Sequence, residues 1–320
     1  MLGSLIAVTA LIATFQVIAA LSLGLSPTAP RGLVQQIASI TTLVLGYIGT
    51  YLGHRVFSVR RTVKVLALDG LFCAAVLAVG LFSPHFNFKV IAPILDPTQG
   101  IEYRGGQLRD QINAALANGS IDPSQKTHII AHSMGGLDSR WMLSPVNPNR
   151  IQVPIRSLTT ISTPHQGSPI ADLIDSPEKL APFRQLPFGP HPNPLQPALD
   201  ALGISLNGLR NLTTAYCQKF SATYTNDPAV AYFSTAGTGR SNFPFTCHLF
   251  FLFHQYISAL TGQANDGLVT VPSAQWGQFD GNTWPADHAD EVGTNLDTLG
   301  PSSFPWLVKY DSIVANIVGL

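Results

Sequence analysis

Charge is what this sequence has least of. Asp, Glu, Lys and Arg make up 11 % of its 320 residues, against about 25 % in an ordinary soluble domain. A chain this poor in charge either buries much of itself or touches lipid. Acids and bases balance to a formal net charge of zero. Beyond one short stretch no basic run suits nucleic acid, so that partner class is set aside. Cysteine is scarce as well. Cys73, Cys217 and Cys247 fit no zinc spacing, and Cys217 with Cys247 reads equally as a disulfide or as two buried thiols. No internal repeat and no long low-complexity tract is present, which leaves one large domain or two small ones. No motif calls for a cofactor, and none points to a protein partner.

The shortage of charge is most complete at the start. Met1 to Pro30 carries no charged side chain. Leu2 to Leu25 is apolar and long enough to span a bilayer, and Gly32 to Gly53 is a second such stretch. Gly49 and Gly53 offer a close-packing face, and Tyr47 and Tyr51 suit an interface. His54 to Lys64 then brings four cations and no acid, which the positive-inside rule keeps cytoplasmic. A signal peptide is the competing reading of the first stretch, but a basic leader is missing and a second apolar stretch follows. Residues 1–62 are therefore expected to be a membrane anchor with two spans, and residues 63–320 an α/β domain.

Val63 to Phe82 has two readings. It is a third span with Asp69 in lipid, or a strand Val63–Leu68, a turn at Asp69-Gly70 and an apolar helix. The strand is preferred, because an intramembrane acid needs a partner. It places the following domain on the cytoplasmic side.

From Phe88 the pattern alternates strands and helices, which implies a mostly parallel sheet flanked by helices. Lys89–Ala92, Thr127–Ala131, Arg156–Ser162 and Ala229–Ala236 read as strands, and Glu102–Ala117 as a helix ended by Asn118-Gly119. Residues 169–215 hold many prolines and suit an excursion over a site. Between Thr127–Ala131 and the helix after it stands Ala131-His132-Ser133-Met134-Gly135. This is the small-x-Ser-x-small pattern of a strand-to-helix corner that lifts a serine hydroxyl clear of the sheet. The Met134 N–H at the helix start is placed to bind an oxyanion.

A serine nucleophile needs a base and an orienting acid. Chain order leaves His288, in the polar loop Pro285 to Glu291, as the late histidine suited to be the base. Asp266, in the turn Asn265 to Val269, suits the acid, with Asp280, Asp287 and Asp290 as alternatives.

Five segments carry a resemblance. They are Glu102 to Leu108, His128 to Gly136, Ile161 to Ser168, Asn265 to Val269 and His288 to Val292. In this order they are similar to the triacylglycerol lipases of the α/β-hydrolase superfamily, the bacterial true lipases and their fungal relatives. The resemblance implies Ser133 as nucleophile, Asp266 as acid, His288 as base, Met134 as one oxyanion donor and a mobile lid near 169–215. It implies hydrolysis of lipid carboxylic esters.

Two departures stand out. The family's His-Gly turn after the first central strand is replaced by Leu68-Asp69-Gly70-Leu71, which makes the Leu71 N–H the expected second oxyanion donor. Bacterial members bind calcium through an acid upstream of the catalytic Asp and another after the catalytic His. Asp290 matches the second, but Arg240 to Gln263 contains no acid, so no tight calcium site is expected. Two other classes share the pattern: a membrane-bound acyltransferase or thioesterase with the same triad, and a non-catalytic relative that has lost its oxyanion strand.

Overall fold

The computed structural model describes residues 90–175, 206–239, 248–279, 281, 283–295 and 300–320. All of them fall within the unit Leu71–Leu320. The expected membrane spans, the strand Val63–Leu68, Leu71, Asp280, Cys247 and residues 176–205 of the excursion lie outside the described residues. Among the described residues no helix is long and apolar enough to cross a membrane.

Four parallel strands form the sheet in sequential order: β1 (Thr127–His132), β2 (Ile155–Ile161), β3 (Ala231–Gly237) and β4 (Thr283–Trp284). Consecutive parallel neighbours require a crossover between each pair. Helix α1 (Ile101–Ala117) precedes β1, and α2 (Met134–Leu143) joins β1 to β2. Between β2 and β3 lie α3 (Leu206–Arg210) and α4 (Thr214–Thr223). Between β3 and β4 lie α5 (His248–Thr261) and the single turn α6 (Val271–Ala274). A short antiparallel pair, β5 (Thr294–Asn295) and β6 (Gly300–Pro301), leads to α7 (Trp306–Val318).

Side chains alternate across a strand, and β2 uses both faces. Leu158 joins the larger core with Ile101, Leu108, Leu137 and Trp141 of α1 and α2. Ile161, of opposite parity, joins Trp284, Tyr310, Ile313 and Val314 under α7. The sheet is thus covered on both sides, as apolar parallel strands require. Helix α1 buries Ile101, Arg104, Gly105, Leu108, Ile112 and Ala115, a stripe at helical spacing. It comes close to α2 because Gly105 has no side chain; a Cβ there would run into Trp141. Arg104 crosses the same contact to Asp138, with Nε 2.9 Å from Oδ2 in a buried ion pair.

One expected strand is not formed. Val90–Ala92, the described part of Lys89–Ala92, has no regular structure. The chain that follows is held by side chains of α1 instead. The Ile94 N–H donates to Gln111 Oε1 at 2.9 Å and its carbonyl accepts from Gln111 Nε2 at 2.6 Å. The Asp96 N–H donates to Gln107 Oε1 at 2.7 Å. Among the described residues β1 is paired on one side only, with β2.

The excursion after β2 leaves and returns at one place. The Ser168 N–H donates to the Leu212 carbonyl at 2.8 Å. Asp172 accepts from the Thr214 N–H at 2.8 Å and from Thr214 Oγ1 at 2.7 Å. Cys217 on α4 is a free, buried thiol, and burial pushes its pKa up to about 12.

Candidate active site

The carboxyl ends of β1 to β4 carry the polar residues of the sequence motifs, where open parallel sheets present their ligand sites. Ser133 follows β1 directly with φ 53° and ψ −131° and opens α2. Its N–H donates to the Ile161 carbonyl at 2.9 Å, and its own carbonyl accepts from Thr163 Oγ1 at 2.7 Å. The corner is thereby tied to β2 from both sides. The small residues around it are not equally tight. A Cβ on Gly135 would lie 3.8 Å from the Ala131 Cβ, an ordinary contact, so Ala serves in place of the motif's first Gly. A Cβ on Gly136 would overlap the Thr163 side chain. Met134 is the first residue of α2, so its N–H is among the first-turn donors that lack an acceptor within the helix.

His288 stands in the loop after β4. Its Nε2 is 2.8 Å from Ser133 Oγ, and its Nδ1 is 2.7 Å from Asp266 Oδ2. A carboxylate only accepts, so Nδ1 carries the proton and Nε2 is left to accept from the serine hydroxyl. Asp266 is fully buried. Its Oδ1 accepts the N–H groups of Leu268 and Val269 at 2.8 and 2.7 Å, which fixes the carboxylate plane. The backbone repeats the link, since the His288 N–H donates to the Asp266 carbonyl at 3.0 Å. Asp266 reaches this place from the turn after α5, and no regular strand leads into it.

The alternative acids are engaged elsewhere. Asp287 Oδ1 accepts the Ala289 and Asp290 N–H groups at 2.9 and 2.8 Å. Asp290 Oδ1 accepts from Ser302 Oγ, which joins the His288 loop to the β6 segment. The other described histidines do different work. His165 is buried, with its Nδ1 3.2 Å from Arg140 Nη1 and its Nε2 3.1 Å from Thr160 Oγ1, and burial, then Arg140, push its pKa well down. The Arg140 guanidinium lies 3.5 Å from the Trp276 ring centroid and 5.2 Å from that of Phe220. Burial lowers its pKa to about 9.

Two residues at the site were given no role by sequence reasoning. His132 stands before the serine in chain order, too early for the base, and Glu291 is only one letter of the His288–Val292 segment. The His132 ring lies 4.5 Å from the His288 ring, centroid to centroid. Its Nε2 is 3.1 Å from Glu291 Oε2. His132, His288 and Glu291 bring ligand-type atoms within 4.8 Å of one another. Each already has hydrogen-bond partners, so the trio is a hydrogen-bonded cluster. The signal that could have found Glu291 is its place three residues after the base in an otherwise polar loop.

Known proteins resemble parts of the chain. The PGAP1-like alpha/beta domain family matches residues 101–178. Triacylglycerol lipase 2 of Saccharomyces cerevisiae is 37 % identical over 175 residues, which are 54 % of this chain and 48 % of that protein. Over these residues the chain is similar to a triacylglycerol lipase. It spans about half the length of the yeast lipase. Among solved structures, the metagenomic carboxyl esterase MGS0156 superposes with a TM-score of 0.56 at 18 % identity, over 80 % of this chain and 73 % of that one. The mature Bacillus licheniformis lipase BlEst2 gives 0.51 at 20 % identity, over 69 % and 76 %. These likenesses place the chain in the α/β-hydrolase fold.

Proposed function

We propose that this chain is a serine hydrolase that cleaves lipid carboxylic esters through an acyl-enzyme on Ser133. The observation that carries the reading is the unbroken chain Asp266 Oδ2, His288 and Ser133 Oγ, with links of 2.7 and 2.8 Å. His288 takes the Ser133 proton as Oγ attacks the ester carbonyl. The Met134 N–H receives the oxyanion, and the Leu71 N–H is assigned as its second donor. His288 then gives its proton to the leaving alcohol, and water repeats the sequence on the acyl-enzyme. Asp266 keeps the imidazole in its working tautomer.

Support for a lipid substrate comes from the yeast homologue's name and from α5. Phe250 of that helix sets its ring edge-on to His288 at 6.1 Å, and Phe253 and Ile257 are buried behind it. Residues 169–215 are assigned as the lid, which the pinned ends at Ser168–Asp172 and Leu212–Thr214 support. The uncharged stretch Met1 to Pro30 supports a membrane anchor in 1–62, with the catalytic domain on the cytoplasmic side.

A fluorophosphonate probe on the full chain, with a panel of esters of rising acyl length, tests the reading. Wild type should be labelled and should turn over medium and long acyl esters. Ser133→Ala should be folded, unlabelled and inactive. Full turnover by Ser133→Ala would refute the assignment.

A further inference from the structure

Glu291 is fully buried beside the triad, yet it takes no part in the relay from Asp266 to Ser133. The site is built around it. Its Oε1 accepts from Ser162 Oγ at 2.6 Å, and that hydroxyl accepts from the Gly237 N–H at 2.9 Å. Its Oε2 faces His132 Nε2 at 3.1 Å. Ser162 holds its hydroxyl there with φ 43°, a left-handed conformation that is strained for a non-glycine residue. Gly237 closes the space; a Cβ on it would overlap Glu291 Oε1 and come within 2.8 Å of the Asp266 Cβ.

His132 joins this group to the base. Its ring packs against the His288 ring at 4.5 Å, while its Nε2 hydrogen-bonds Glu291.

We propose that Glu291 and His132 are a hydrogen-bonded pair that positions the His288 imidazole. The groups around the pair agree. Burial, then Asp266, Asp287 and Asp290, push the Glu291 carboxyl well above its usual range, against the Ser162 bond. Burial, then His288, push His132 well down. Tyr310 faces Glu291 from α7 and is itself held in the neutral phenol form by burial and by Glu291. The pair therefore backs the ring face of His288 without adding a second negative charge beside Asp266.

The inference rests on Ser133 as nucleophile, so turnover is read per phosphonate-titrated serine. Glu291→Ala should lower kcat per titrated site about tenfold or more, with KM changed much less, as misplacing a reacting group does. A merely structural role would lower the titratable fraction and leave kcat per titrated site alone. Glu291→Gln keeps a donor for His132 and an acceptor for Ser162. It should recover kcat to within about threefold of wild type, with the acid limb of kcat/KM in the same place. Should Glu291→Ala not fold, His132→Asn removes the bridge from the other side with the same expected loss. Wild-type kcat in Glu291→Ala, or in His132→Asn in its stead, overturns the proposal. So does a Glu291→Gln variant as slow as Glu291→Ala, or one with a displaced acid limb, because the carboxylate charge would then be what acts. Absence of labelling in wild type would sink the nucleophile reading and this inference together.

Discussion

Ser133 and Ser162 are the non-glycine residues with positive φ among those described, at 53° and 43°. Both stand at carboxyl ends of neighbouring strands. One presents the nucleophile and the other holds Glu291, so the strained backbone is confined to the site. The choice of acid can be tested at this scale. Asp266→Asn should reduce kcat by about 10³–10⁴-fold, because the amide favours the wrong imidazole tautomer. Asp290→Asn should cost far less, since its Oδ1 serves Ser302 rather than the base. Steady-state kinetics on both variants decide it; a larger loss in Asp290→Asn would reverse the assignment. Chelation is a second test. Asp290 is tied into its own loop, and the stretch Arg240 to Gln263 has no acid. Activity should therefore survive EDTA, and loss that returns with added calcium would contradict this.

At the scale of elements, the site depends on α2 being held while Ser133 is held. Arg104 of α1 reaches Asp138 of α2 in a pair that is nearly fully buried, and Gly105 lets the two helices approach. Removing one partner of a buried pair leaves the other charge uncompensated. Arg104→Met should therefore lower unfolding free energy by about 3 kcal/mol, measured by urea titration. Phosphonate labelling at low temperature should persist, because Arg104 does not touch the triad. A change under about 0.5 kcal/mol would mean that the pair contributes no more than a surface bridge. The helix α1 was legible from its apolar spacing, and it begins at Ile101, one residue before the expected start. The missed strand at Val90–Ala92 shows the limit of the same approach. A short apolar run looks like a strand, but Gln107 and Gln111 offer its neighbours a different set of hydrogen-bond partners.

For the molecule as a whole, the buried imidazoles among the described residues make stability depend on pH. Burial lowers His165 and His132 well below the ordinary 6.5. The unfolded chain binds these protons below that value and the folded chain does not, so stability is complete above it and falls as pH drops through it. Glu291 acts in the opposite sense. It keeps a proton in the fold above the ordinary carboxyl value of 4.5, so its cost is present at neutral pH and shrinks on acidification. It opposes the two histidines, and His165 by itself should lower stability as pH falls from 7 to 5. Thermal unfolding at the two pH values should show it, and His165→Asn should flatten the difference while lowering stability at pH 7. An unchanged slope in that variant would move the effect to other groups.

Local chemistry was enough to identify the serine corner, the order of strand and helix around it, and the segments bearing Asp266 and His288. A sharp strand-to-helix turn needs small residues at set positions, and apolar spacing records which face is buried. What only the tertiary structure decided lies between segments. Glu291 and Asp290 are adjacent in sequence, yet one is turned into the site and the other into its own loop. His132, next to the nucleophile, became the link between Glu291 and the base. Gly237, unremarkable in sequence, proved to be where a side chain would fill the space that Glu291 occupies. None of these follows from spacing along the chain, because a buried acid is defined by the groups brought to it from β2, β3 and the β1 corner. Those groups meet only when the strands have paired.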